Sequence, residues 1–298
     1  MELIKVKGKT YYISAPTNVG IYVFKGKECL LIDTAFTNSQ ARRIDELLGQ
    51  NNLHPKYIIN THAHLDHCRG NLYFQHTYPG CQVYASVLEK PFLENPSLLG
   101  AVLYSAAPLK DLDKSPRVFP VDYYMEAGVQ KINDEKFEII LLSGHTKGQI
   151  GIITPEKVCF PGDSIFSSTI LDKYAIPYLF DIGESIETLK SLLDVDADYF
   201  VISHDEQGVL TRDELPELVD RNLVNIEKVN QQILELLDQP LTRENLVENL
   251  VILNEISLNL MEYHLIFSTV SAFLKYLYEQ RLITYSIEEG RFYYFKVH

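Results

Sequence analysis

The chain has 298 residues, 46% hydrophobic and 11% aromatic, which suits one large domain, or a domain with a smaller module, around a substantial core. Its formal charge of −13 and pI near 5.1 argue against a surface that coats nucleic acid or docks on anionic lipid. No apolar run is long enough to cross a bilayer, and the N-terminal MELIKVKGKTYYISA lacks the apolar stretch of a signal peptide. The four cysteines (Cys29, Cys68, Cys81, Cys159) are scattered and form no CxxC pair, so a cytoplasmic protein with reduced thiols is expected.

The first 35 residues read as successive β-strands. Polar and apolar residues alternate from the N-terminus, and Tyr11–Ile13, Gly20–Phe24 and Cys29–Asp33 are short and rich in β-formers, with Gly26 in a turn. Residues 39–50, SQARRIDELLGQ, place Ile44, Leu47 and Leu48 on one helical face, with Gly49 near the stop. Tyr57–Asn60 is the next strand, and NTHAHLDHCRGN (60–71) follows its C-terminal end, where open α/β layers bind ligands. Residues 86–135 are less regular and read either as a lid or pocket wall or as buried connecting structure. Strand signals return at Phe137–Leu142, Ile150–Ile153, Lys157–Phe160 and Tyr199–Ser203. Over 215–239 apolar residues recur at helical spacing until Pro240, which predicts a long amphipathic helix. Thr242 then caps a helix over Glu244–Leu253, a second helical pattern runs through Phe273–Glu279, and two alternating strands flank Glu289-Gly290. Helices followed by a hairpin predict a small winged-helix-like module over 241–298, after a catalytic domain over 1–240.

His62 and His64 alternate along an extended segment, so their side chains point the same way, and Asp66 and His67 follow on the turn. A transition metal such as zinc takes imidazole nitrogen and carboxylate oxygen. HxHxDH alone is incomplete, because a short loop needs help to close a site. The help lies downstream: SGHTKGQIG places His145 after one strand, CFPGDSIF places Asp163 after another, and YFVISHDE places His204 at the end of a third. Any one of these histidines alone suits a core or surface role; all seven side chains together point to metal. Asp33 taken alone serves equally as a strand-end cap. Cys68, beside the cluster, reads as a small packed residue or as a group behind the ligands.

In order, LIDT with Asp33, HAHLDH, GHT with His145, GDSIF with Asp163 and SH with His204 resemble the metallo-β-lactamase-fold hydrolase superfamily, over nearly all of the first 205 residues. The resemblance implies an α/β fold, a four-layer αβ/βα sandwich with metals at one edge of its two sheets. It implies two divalent metal ions, Zn first and Fe or Mn as alternatives. His62, His64 and His145 would hold one ion, Asp66, His67 and His204 the other, and Asp163 would bridge them. Asp33 would support the ligands through hydrogen bonds rather than coordinate. Lys147 and Gln149 stand where many relatives carry Pro and His or Ser, positions behind the ligands or at the pocket rim.

A hydroxide held between two metals is the simplest nucleophile for such a site, with Asp66 orienting it and carrying a proton. The expected reaction is hydrolysis of an ester, thioester or lactone bond in a small molecule. Glyoxalase II resembles the chain in its motif set and in an extra C-terminal module; acyl-homoserine lactonases share HxHxDH but are usually shorter. Lys173, Tyr174 and Tyr178, within LDKYAIPYLFDIG (171–183), are candidates for substrate contact. Two other readings are a mononuclear-iron persulfide dioxygenase-like oxidoreductase and a nuclease or nucleic-acid-binding protein that uses the tail. Charge opposes the last: residues 241–298 hold five Lys/Arg against seven Asp/Glu, a net of −2. The tail is therefore expected to pack on the catalytic domain or on the second subunit of a homodimer.

Overall fold

The computed structural model describes residues 1–113 and 118–297. Seven strands form the first sheet in sequence order: β1 (Leu3–Lys7), β2 (Thr10–Ile13), β3 (Val19–Val23), β4 (Glu28–Ile32), β5 (His54–Ile59), β6 (Gln82–Ser86) and β7 (Tyr123–Met125). Pairing is antiparallel from β1 to β4 and parallel from β4 to β7. The parallel half needs crossovers, and helices supply them. These are α1 (Asn38–Gln50), α2 (Leu65–Cys68) and α3 (Asn71–Thr77), then α4 (Lys90–Glu94) and α5 (Ser97–Tyr104).

The second sheet comprises β8 (Gly128–Ile132), β9 (Glu135–Leu141), β10 (Ile150–Ile153), β11 (Val158–Phe160), β12 (Tyr199–Val201) and β13 (Val209–Thr211), each beside the next in sequence. Only β11 and β12 pair in parallel. Their crossover contains α6 (Ser168–Lys173) and α7 (Ile182–Leu192), and α8 (Leu215–Leu236) follows β13.

Side-chain alternation builds the layers. In β4, Cys29 and Leu31 face α1, where they meet Ala41, Ile44 and Leu48, while Leu30 and Ile32 face the other way. There they meet Phe137, Ile139, Ile150, Ile152 and Phe160 of the second sheet, forming the core between the sheets. The outer face of the second sheet is covered by Ile182, Leu189 and Leu192 of α7 and by Leu218, Ile226 and Ile233 of α8. Helix, sheet, sheet, helix is the four-layer αβ/βα sandwich that the motifs imply.

The tail consists of α9 (Arg243–Leu253), capped by Thr242, then α10 (Leu260–Glu279) and a hairpin of β14 (Ile283–Glu288) and β15 (Arg291–Lys296). Its Leu246, Leu250, Val270, Phe273 and Leu277 are buried in the same cluster as α7 and α8. Lys275 of α10 donates to Asp181, the N-cap of α7, at 2.6 Å. The tail thus packs on the sandwich through a shared core. No described helix is long and apolar enough to cross a membrane.

The stretch 86–135, which looked irregular, holds α4, α5, β7 and β8 outside residues 114–117, which are not among the described residues. Prolines explain its appearance: Pro91 opens α4 and Pro96 precedes α5, so each helix is short and its period weak. Because the tail shares a core with α7 and α8, Leu250→Ala should destabilise the whole chain by about 2–5 kcal/mol. Urea unfolding followed by circular dichroism should show one transition moved to lower denaturant. A separate early transition confined to the tail would contradict the shared core.

Candidate metal centre

β4, β5, β11 and β12 all present their C-terminal ends at one edge of the sandwich. Asp33 follows β4, the HxHxDH segment follows β5, Asp163 follows β11, and His204 lies just beyond β12. His145 sits in the loop between β9 and β10, and the Ile150 N–H donates to the Thr61 carbonyl at 2.9 Å, joining the two sheets at this edge. Gly144 gives that loop its path: its φ is +135°, and a Cβ there would lie 2.6 Å from the Ser185 Cα.

Asp33 is buried and left-handed, with φ of +62°, an uncommon conformation for a non-glycine residue. One carboxylate oxygen accepts from the Thr61 N–H at 2.9 Å; the other accepts from the Thr61 hydroxyl at 2.8 Å and from His67 Nδ1 at 2.7 Å. Since the Thr61 hydroxyl gives its proton to Asp33, its oxygen is left to accept from His62 Nδ1 at 3.0 Å. One carboxylate therefore fixes the tautomers and ring planes of two histidines, leaving Nε2 of each to face inward. The His67 carbonyl is held as well, accepting from the Thr34 N–H and from Asn60 Nδ2.

Backbone carbonyls orient two of the other rings. His145 Nδ1 donates to the Tyr178 carbonyl at 3.0 Å, and His204 Nδ1 donates to the Pro16 carbonyl at 2.9 Å. The inward atoms form two groups, His62, His64 and His145 in one and Asp66, His67, Asp163 and His204 in the other, each with its atoms within 4.8 Å of one another. Asp163 stands between them, with one oxygen 3.3 Å from His67 Nε2 and the other 3.2 Å from His204 Nε2 and 3.7 Å from His145 Nε2. His62 Nε2 is buried without a hydrogen-bond partner, and His67 Nε2 and Asp163 Oδ1 face each other at 3.3 Å without making a well-formed hydrogen bond. Buried polar atoms are rarely left so. Three such atoms converging with further nitrogen and carboxylate donors fit divalent cations, and the donor types suit zinc, iron or manganese.

Charge tells the same story. Burial, reinforced by the neighbouring rings, keeps His62 and His64 neutral, with His64 pushed down to about 3. Burial also lowers His145. In the other group burial opposes charge too, but Asp163 and its neighbouring carboxylates outweigh it, raising His67 well above the usual imidazole range and His204 to about 10. Burial pushes the Asp163 and Asp66 carboxyls up, yet His67 and His204 hold both well below the carboxylate range. In the metal-free chain, protons on His67 and His204 balance charge that a cation would otherwise balance.

The Metallo-beta-lactamase superfamily matches the chain over residues 15–204, a span that takes in Asp33 and all seven convergent side chains. The chain belongs to this superfamily. A hydroxyacylglutathione hydrolase of Buchnera aphidicola subsp. Baizongia pistaciae (strain Bp) is 31% identical over 149 residues, 50% of this chain and 47% of that protein. Another, from Prochlorococcus marinus (strain MIT 9312), is 28% identical over 56% of this chain and 57% of its own length. The chain thus spans about half the length of these curated relatives. A metallo-beta-lactamase family protein from Thermus thermophilus superposes with a TM-score of 0.73 over 97% of this chain and 99% of its own, at 19% identity. A beta-lactamase domain protein from Burkholderia ambifaria gives 0.72 over 99% and 93%, at 16% identity. Both structures therefore share the fold through the tail.

The sequence reading of this superfamily member missed Glu89. Its buried carboxylate accepts from the Ala63 N–H at 2.8 Å, the Thr146 hydroxyl at 2.7 Å and the Gly148 N–H at 3.0 Å. Ala63 lies between His62 and His64, and Thr146 follows His145, so Glu89 ties the two loops of one ligand group together. Burial raises its pKa, although these three bonds act to lower it. Gln149 is also buried, its side-chain oxygen accepting from the Asp163 N–H at 3.2 Å while its amide donates to the Leu142 carbonyl at 3.4 Å. The departure noted at position 149 thus positions Asp163. Cys68 is a packed core thiol that donates to the Ala63 carbonyl at 3.5 Å.

A cavity of about 460 Å³ opens in front of the cluster, lined at its inner end by His64, Asp66, His145 and Asp163. Tyr178 lines it, its ring set edge-on to both His64 and His145. Lys173 and Tyr174 are not among the lining residues: the Lys173 ammonium lies over the Tyr174 ring at the end of α6. Their place next to Tyr178 in sequence did not carry them to the cavity, because α6 ends there and the chain turns.

Glu89→Ala should cost about 2–4 kcal/mol, since it strands three buried donors, and lower metal affinity about 10–100-fold. Glu89→Gln, which keeps one accepting oxygen, should restore part of both. Denaturant midpoints and metal competition titrations read the two effects, and wild-type affinity in Glu89→Ala would refute the clamp. Metal loading should also release protons from His67 and His204. With His204 near 10 in the metal-free chain, apparent affinity should rise with pH through neutrality, with about two protons appearing per chain. Calorimetry in buffers of different ionisation enthalpy counts them; none released would contradict the assignment.

Proposed function

We propose that the chain is a metal-dependent hydrolase that cleaves an ester, thioester or lactone bond of a small molecule. The observation that carries this reading is the convergence of two donor sets that share Asp163 at the head of an open cavity. His62, His64 and His145 would hold one ion, and Asp66, His67 and His204 the other, with Asp163 common to both. Zinc is the favoured ion for such small nitrogen- and carboxylate-rich sets, with iron and manganese as alternatives. Ions bound there would act as Lewis acids and lower the pKa of a water toward neutrality.

The chain's own residues do the rest. Asp66 is the exposed carboxylate of the set, with 38% of its side chain open, and it faces the cavity. It is placed to orient a water, take its proton and return it to the leaving group. Asp33 and Glu89 hold the histidine loops so that little reorganisation is needed during reaction. The Tyr178 ring flanks His64 and His145 on the cavity side and keeps bulk water from them. From the tail, Met261 and Leu265 serve as cavity wall, and its net charge of −2 over 241–298 does not suit a nucleic-acid reader. The relatives named hydroxyacylglutathione hydrolase support a thioester as one of the bonds to test.

Chelation should abolish hydrolysis, and added Zn, Mn or Fe should restore it, on a panel holding an ester, a thioester, a lactone and a phosphodiester. Asp66→Asn should lower kcat by about 10²–10⁴-fold. Full activity in protein verified free of metal, or cleavage of the phosphodiester alone, would contradict the reading.

A further inference from the structure

Past its polar inner end, the cavity is apolar. α4 contributes Phe92, α5 contributes Leu99 and Leu103, the segment before α7 contributes Phe180, and α10 contributes Met261 and Leu265. Three distant parts of the chain thus supply one surface, and α5 and α10 also touch where the Tyr104 ring meets His264 at 5.4 Å. The cavity's volume lies in the range of sites that bury small organic ligands. Apolar side chains left open to solvent in this way are usually covered by a ligand or a partner.

Among the described residues, the charged groups on this wall are already engaged. Glu89 accepts its three internal donors, Asp113 accepts from the Ser97 hydroxyl, and Lys147 is paired with Glu184. Among the described residues that line the cavity, Lys147 is the one Lys or Arg. Among the described residues, this wall offers the carboxylates or phosphates of a substrate no unpaired Lys or Arg, whereas an alkyl chain would gain about 0.8 kcal/mol per buried methylene, close to fourfold in affinity.

We infer that this cavity is an acyl pocket: the substrate carries an uncharged, predominantly apolar acyl chain lying between α5 and α10, with its carbonyl at the histidine–aspartate cluster. This rests on the hydrolase reading and narrows it. A water oxygen bonds to the acyl carbon, the C–O or C–S bond breaks, and a carboxylic acid and an alcohol or thiol leave. The tail then has a role in specificity, because Met261 and Leu265 complete the wall.

The test uses the full-length, metal-loaded chain and two substrate series running from acetyl to octanoyl, p-nitrophenyl esters and N-acetylcysteamine thioesters, with S-lactoylglutathione alongside. Expected is a kcat/KM that rises up to about fourfold per methylene until the pocket is filled, in whichever series is cleaved. S-lactoylglutathione should fall well below the octanoyl substrates. Met261→Glu, and Val102→Glu on the exposed rim of α5, should each cut the octanoyl-to-acetyl ratio at least about tenfold. Calorimetric binding of uncleaved alkyl amides gives a reading without turnover: octanamide should bind more tightly than butanamide and lose that advantage in Val102→Glu. A flat chain-length profile, or preference for S-lactoylglutathione, overturns the acyl pocket while leaving the hydrolase standing. Chain-length-dependent amide binding with no hydrolysis of any substrate upholds the apolar pocket and overturns the hydrolase reading for acyclic esters and thioesters.

Discussion

The Asp33 carboxylate is the constraint on which the metal edge depends. It ends β4 in a left-handed conformation that costs on the order of 1–3 kcal/mol. Its hydrogen bonds to Thr61 and His67 offset that strain and set which nitrogens of His62 and His67 face inward. Without such an acceptor behind them, buried imidazoles could turn or exchange tautomers, and two of the seven inward donors would be lost. Parallel pairing of β4 with β5 brings Asp33 beside Thr61, so sheet register and site chemistry are one problem.

Glu89 plays the matching part on the other side. Asp33 joins the end of β4 to the HxHxDH segment, and Glu89 joins that segment to the His145 loop of the second sheet. Gln149 ties Asp163 to the same loop. Loops at the rim of a sandwich are the least restrained parts of the backbone, so a cluster drawn from four of them needs such cross-links. Away from the edge, the tail packs into the core of α7 and α8, and α10 reaches the cavity that the cluster faces.

Much of this was legible in the sequence because metal ligands come as ordered, chemically distinctive residues, each just past a short β-rich run. Cys29–Ile32 read as a strand, but its four consecutive apolar residues, buried on both faces, did not show which side meets α1; the tail's helix, helix, hairpin order could be read from Thr242 and Glu289-Gly290. Glu89 was not legible: it lies in LEKPFLE, which looks like any solvated helix start, and its meaning depends on loops 26 and 57 residues away. α7 left a signal that went unread, since Asp181 caps a run with Ile182, Ile186, Leu189 and Leu192 on one face. The cavity wall was half legible: 86–135 was a candidate wall, but the share from Met261 and Leu265 arises only when α10 packs beside α5. Lys173 and Tyr174 show that nearness to Tyr178 in sequence does not carry a side chain into the cavity.

The most direct test of this account is the metal content of purified wild-type chain beside Asp33→Asn, each verified as folded by circular dichroism. The account predicts two equivalents of transition metal in the wild type and a marked loss in the variant, because Asn cannot accept from Thr61 and His67 together with the same charge and geometry. Equal metal content in the two proteins, or none in a folded wild type supplied with zinc, would contradict it.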